Sequence, residues 1–164
     1  MRILVFSSLL VASACQTGGG LSGDTYRDGL VSYRIGTLSP DWGRVRVADG
    51  QVAFHHAGGG SILANANCQP RQDVSLDVLT NHLLFGIEDR REESRVRFQL
   101  DGRTALRTRL DGTLDGVPIS LDLVVLKKDG CIYDLGLAAA PSVFAQRRPD
   151  FEQFVRGFAR LEGA

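Results

Sequence analysis

Lysine is almost missing from this chain: Lys127 and Lys128 are the only two, and arginine carries the rest of the positive charge. The 19 basic residues are matched by 19 acidic ones. Without a basic excess or stripe there is no electrostatic footprint for nucleic acid. No apolar run reaches the roughly 20 residues that a helix needs to cross a bilayer. Only three cysteines occur, with no Cys-x-x-Cys pair, which removes the usual spacing of a zinc site. Gly58-Gly59-Gly60 lacks the Lys-Ser/Thr ending of a phosphate loop and leads into a strand pattern rather than a helix, so a turn is expected. No Gly-x-Ser-x-Gly elbow is present. His55 and His56 are adjacent in a strand pattern and point to opposite faces, while His82 lies on a helix pattern, so the three make a poor metal set. With no paired acids, activated thiol or metal cluster, no cofactor is expected and the chain does not read as an enzyme.

What is present begins at the N-terminus. Arg2, the apolar run from Ile3 to Val11 and the small residues Ala12, Ser13 and Ala14 form the charged, apolar and small-residue sequence of an export signal. A signal that ends directly at a cysteine resembles the bacterial lipobox, whose cysteine receives a diacylglyceryl group and becomes the new N-terminus. The favoured Leu three places before it is Ala12 here. The resemblance implies lipidation at Cys15 and anchoring without a transmembrane helix. Gln16 in place of Asp implies an outer-membrane location, facing the periplasm. Cleavage removes one base, Arg2, and no acid, leaving a formal charge of −1. Residues 15–29 are rich in Gly, Ser and Thr and read as a flexible tether, with a single domain from Leu30 to the end.

With Cys15 acylated, Cys68 and Cys131 remain as an even pair in an oxidising compartment. The expectation is a Cys68–Cys131 disulfide, the alternative being two unpaired cysteines buried as small hydrophobes.

From Leu30 onward the pattern is mostly strand. Val31, Tyr33 and Ile35 alternate with Ser32 and Arg34. Asp-Gly pairs at 49–50, 101–102, 111–112, 115–116 and 129–130 read as hairpin turns; they lack the alternating ligands and late Glu of a calcium loop. Residues 74–86 read as a helix, with Ser75 or Asp73 capping its start and Gly86 its end. The mixed-sign run 88–95 reads as a solvated segment. A polar loop containing Phe144 and Pro149 is expected before a final amphipathic helix, with Phe151, Phe154, Val155, Phe158 and Leu161 on one face. The expected class is α+β, a mainly antiparallel sheet packed with helices.

The opening stretch "YRIGTLSPDWGRV" and the closing "CIYDLGLAAAPSVFAQRRPDFEQFVRGF" resemble PsbP-like domains. That resemblance implies an α/β/α sandwich and an accessory or binding role, with no catalytic residue to carry over. Two candidate surfaces stand beside it. Arg95 and Arg97, with Arg107 and Arg109, stand two apart and would project from one face of neighbouring strands, forming either an anion, lipid-headgroup or partner surface or a solvated face balanced by acids. Trp42, Tyr33 and Phe54 either line a groove or pack the core. The expected function is a lipid-anchored envelope lipoprotein that binds another envelope protein. The alternative is a small-ligand or lipid-binding accessory of an envelope transport system.

Overall fold

The computed structural model describes residues 19–47, 51–68 and 73–162. Among these residues, a seven-stranded antiparallel sheet dominates, built from β4 (Trp42–Val45), β5 (Gln51–His56), β6 (Ser61–Asn67), β7 (Ile87–Leu100), β8 (Arg103–Leu114), β9 (Val117–Lys128) and β10 (Cys131–Ala139). Its spatial order is β4-β5-β6-β10-β9-β8-β7. A four-stranded sheet, β1 (Gly20–Ser22), β2 (Thr25–Arg27), β3 (Ser32–Arg34) and β11 (Ala159–Arg160), joins the two ends of the described chain. Two helices complete it, α1 (Leu76–Leu83) and α2 (Pro141–Arg156). No helix among the described residues is long and apolar enough to cross a membrane.

Three hairpin turns follow from Asp-Gly chemistry. Asp101-Gly102, Asp115-Gly116 and Asp129-Gly130 all hold positive φ at both residues, the requirement of a tight two-residue turn whose twist matches its strands. The pair at 49–50 lies outside the described residues. Asp111-Gly112 is not a turn: both lie within β8, paired with Ser120 and Ile119 of β9. A Cβ on Gly112 would stand 2.6 Å from Ile87 and 2.8 Å from the Glu88 carbonyl. This glycine admits the irregular stretch of β7, where the register shifts between Glu88 and Arg91 and Asp89 has φ of 48°.

The 88–95 run is the second correction. It is solvated, yet it belongs to β7, an edge strand paired with β8 along its length. An edge exposed on both faces shows no apolar alternation and relies on charge to resist pairing with other chains.

Strand pairing sorts side chains onto two faces. Ala105, Val124, Leu126, Tyr133, Leu135, Ile62, Ala64 and Val52 pack with α2 and the small sheet into the main core. There Tyr33 meets Tyr26, Tyr133 and Phe158 at ring centroid distances of 5.1, 6.0 and 6.0 Å. Leu110, Leu121 and Leu123 face the other way and form a smaller cluster with Leu84 and Ile87. α1 lies on that second face, α2 on the first, which makes an α/β/α sandwich.

α2 begins earlier than the expected loop allowed. Pro141 supplies a preset φ at its first turn. Pro149 lies inside the helix, and Phe151, Phe154 and Val155 are buried beyond it. Burial of that stripe on the sheet outweighs the lost proline N–H. The helix stops at Gly157, so Phe158 reaches the core from the following turn and Leu161 lies beyond β11 rather than on the helix.

The expected tether also folds in part. Tyr26 is 2% exposed, and Asp28 Oδ1 accepts from the backbone N–H groups of Leu30 and Val31 at 2.7 Å each. One buried aromatic and one turn-capping acid order β1 and β2 within the Gly-rich stretch. The signal segment and Cys15 lie outside the described residues.

Candidate functional site

The two helices cover the sheet unequally. α2 runs 16 residues and spans about 24 Å at 1.5 Å per residue, with the small sheet beside it. α1 has 8 residues and spans about 12 Å, whereas seven strands at about 4.8 Å spacing are about 29 Å wide. α1 is capped by Ser75, whose hydroxyl accepts from the Val78 N–H, and its chain turns away at Gly86, φ 85°. It rests over β8 and β9, leaving the adjoining surface of β10 and β6 without a helix among the described residues.

That uncovered surface is an apolar groove of about 210 Å³. Leu63 of β6, Leu121 and Leu123 of β9, Leu83 of α1, and Ile87 and Leu114 at the far end line it. Leu63, Leu83 and Leu114 are each about two-fifths exposed. Phe85, in the turn after α1, is 91% exposed, and Val117, beside Leu114 in the β8–β9 hairpin, is 64% exposed. Leu63, Leu83, Leu114 and Val117 are linked through the groove and the cleft that adjoins it, and large apolar side chains in continuity, rather than scattered singly, mark an interaction surface.

Among the described residues one charged residue lines the groove, Asp134 of β10. It is 8% exposed, and its Oδ2 accepts from the Asn65 amide at 3.3 Å. Burial pushes its carboxyl up to about 6, against a smaller opposing effect of the Asn65 hydrogen bond.

The four arginines do not share a face. Arg95 pairs with Thr108 and Arg97 with Leu106, while Arg107 pairs with Val96 and Arg109 with Ser94. Directly paired residues share a face, so Arg95 and Arg97 stand on the α1 side and Arg107 and Arg109 on the α2 side. Arg95 and Arg97 both reach Asp77 of α1. Arg107 is buried: its Nε and Nη2 donate to the two carboxylate oxygens of Asp122 at 2.8 Å each, and its Nη1 pairs with Glu152 of α2 at 2.6 Å. Arg109 Nε donates to Asp122 Oδ2 at 2.9 Å. The face predicted from spacing is thus divided, and Arg107 is an internal clamp between sheet and helix. Its guanidinium also lies over the Phe151 ring.

The aromatic candidates are core. Tyr33 is fully buried, Trp42 donates its indole N–H to Asp150 at 3.1 Å, and Phe54 meets Phe154 edge to face. His56 Nδ1 accepts from the Gly58 N–H and its ring meets Trp42, while His55 Nδ1 lies 3.2 Å from Ser61 Oγ. The Gly58-Gly59-Gly60 turn is held by Arg147 of α2, which donates to the Gly58 and Gly59 carbonyls. Cys68 and Cys131 form a disulfide just beyond the Asn67–Ile132 pair, where β6 meets β10.

No protein-family model and no curated protein sequence matches this chain. Solved structures do. The cyanobacterial PsbP of Synechocystis is similar at a TM-score of 0.61 and 12% identity, over 93% of this chain and 98% of that one. LpqN of Mycobacterium tuberculosis, described as involved in cell envelope biogenesis, matches at 0.56 and 12%, over 79% and 84%. A Pseudomonas aeruginosa protein of unknown function matches at 0.53 and 13%, over 80% and 92%. At such identities the likeness is one of architecture, and the chain has the PsbP-like α+β fold.

Proposed function

We propose that this protein is an accessory binding module of the bacterial cell envelope, lipid-anchored through Cys15 and facing the periplasm, which docks a partner protein on the apolar groove beside α1. The groove is the observation that carries the docking reading. A domain whose other face is closed by α2 and a second sheet leaves this one open among the described residues, lined by leucines, with exposed Val117 extending it beyond Leu114. The groove continues past Leu114 and Ile119 onto an adjoining cleft bordered by Val117, Pro118 and Ala139, an extended open surface that suits the side chains of a partner better than an enclosed small molecule. A tether at Cys15 would hold the domain near the membrane and make weak contacts effective. Support for the envelope comes from the signal and lipobox sequence, from the disulfide, and from the fold shared with LpqN. The strongly bound charges of the α2 face are committed to one another, which fits a binder better than a catalyst.

Intact mass of the protein extracted from its own membranes tests the anchor: a chain beginning at Cys15 plus acyl groups supports it, and an unlipidated mass removes it. In-cell formaldehyde crosslinking tests the docking face. A protein that co-purifies with the wild-type chain and is lost with Leu63→Gln supports the reading. Equal recovery with both would refute it.

A further inference from the structure

Two carboxylates are buried in this sheet, and they are treated differently. Asp122, with a fully buried side chain, receives three hydrogen bonds from Arg107 and Arg109. Asp134, on the opposite face, receives one from the neutral amide of Asn65 and takes part in no ion pair among the described residues. Lys127 shares its face, two positions along β9 from Val125, the residue paired with Asp134; the Lys127 ammonium donates to the Val74 carbonyl at 2.8 Å. An ionised carboxylate in an apolar surround is costly unless paired. Its remaining access is through the groove, so an occupant that is only apolar would strip the last water from Asp134 and worsen that cost. An occupant carrying a positive charge would convert the cost into a charge-assisted hydrogen bond.

We propose that the groove recognises a protein segment in which a lysine or arginine, flanked by apolar side chains, places its cationic head on the Asp134 carboxylate while its neighbours pack on Leu63, Leu121 and Leu123. This deepens the docking function and rests on it. The leucines then supply contact area and Asp134 supplies selection, because a partner with an acid at that place would set two like charges in a desolvated site. The upward push that burial gives the Asp134 carboxyl agrees with a site lacking its counter-charge.

The test uses the full chain in detergent and fluorescent acetyl-Leu-Ala-Lys-Ala-Leu-amide, beside counterparts with Gln or Glu at the centre, followed by anisotropy near neutral pH. The Lys peptide is expected to bind about ten-fold tighter than the Gln peptide, the size of one charge-assisted hydrogen bond. Asp134→Asn should erase that difference without unfolding the protein, since it keeps the side-chain shape. Leu63→Gln should weaken all three peptides. Equal binding of Lys and Gln peptides, both weakened by Leu63→Gln, would overturn the cationic anchor and leave the docking face standing. Binding by none, or binding indifferent to Leu63→Gln, would overturn both. Competition by free hexylammonium as strong as by the Lys peptide would overturn the protein segment as occupant in favour of a small amine.

Discussion

Arg107 and Arg97 have the same side chain on adjacent strands and opposite consequences. Arg107 is enclosed by Asp122, Glu152 and the Phe151 ring. Removing it leaves a fully buried carboxylate with one cation fewer, so Arg107→Met should destabilise the fold by about 3 kcal/mol. Arg97, more than half exposed in its pair with Asp77, should cost under about 1 kcal/mol as Arg97→Ala. Urea unfolding of the two variants checks both, and comparable losses would contradict the division of the arginines between faces. Asp134 gives a pH dependence of opposite sense to an ordinary ion pair. Its carboxyl is raised from 3.8 to about 6, so the native state holds the proton more tightly than the unfolded chain. Its contribution is fully favourable below the unfolded value and is lost as pH rises through about 6. Asp134→Asn should therefore stabilise the isolated protein at neutral pH, by up to about 3 kcal/mol, and give no gain near pH 3.5. A variant less stable at neutral pH would contradict this.

At the scale of elements, what the sequence disclosed depended on whether one residue's local signal agreed with its tertiary setting. The Asp-Gly turns at 101, 115 and 129 did agree, as did the Ser75 cap of α1; the helix itself stops at Leu83 with Leu84 as its cap, short of the expected 74–86 span, and Gly86 turns the chain after it. Pro149 argued for a loop, and the packing of Phe151 and Phe154 overrode it. The 88–95 run hid the first half of β7, because an edge segment bathed in water has no periodic apolar signal; the second half, from Arg95 to Leu100, does read as a strand. Asp111-Gly112 read as a turn because an Asp-Gly pair alone does not distinguish a reversal from a close approach; only the proximity of Ile87 does. In the 15–29 segment, Tyr26 followed by Asp28-Gly29 was the available sign of order. The end of α2 offers a direct check. A Cβ on Gly157 would stand 2.3 Å from the Gly36 Cα, a backbone atom with little room to yield. Gly157→Ala should thus cost about 2 kcal/mol or more and loosen β11 against β3, measured as faster amide exchange at Arg34 and Leu161, whose neighbouring ladder would open. Unchanged exchange there would mean the chain crossing absorbs the methyl.

For the whole molecule, the α+β class was legible in the repeated short strands and two amphipathic helices, whereas the groove was not. Its lining comes from β6, β7, β8, β9, β10 and α1, and in β9 the apolar side chains Val124 and Leu126 on one face are as prominent as Leu121 and Leu123 on the other. Only the shortness of α1 against the width of the sheet leaves that second face open, and neither the helix's length nor the position at which it crosses the strands is written in a local pattern. The Cys68–Cys131 bridge spans a sequence separation of 63 residues and ties β6 to β10 on the main-core side of the sheet. Replacing both cysteines by alanine should lower stability by about 2–4 kcal/mol, read as a shifted urea midpoint in oxidising buffer; no shift would mean the strand ladder alone holds that end. The central claim is that the open face meets a partner in the envelope. The most direct measurement places a photo-crosslinking side chain at Leu63, at Leu114 and, as a control on the opposite side, at Arg156, in living cells. The account predicts one discrete crosslinked protein from Leu63 and Leu114 and none from Arg156. The same adduct from all three positions, or an adduct from Arg156 alone, would contradict it.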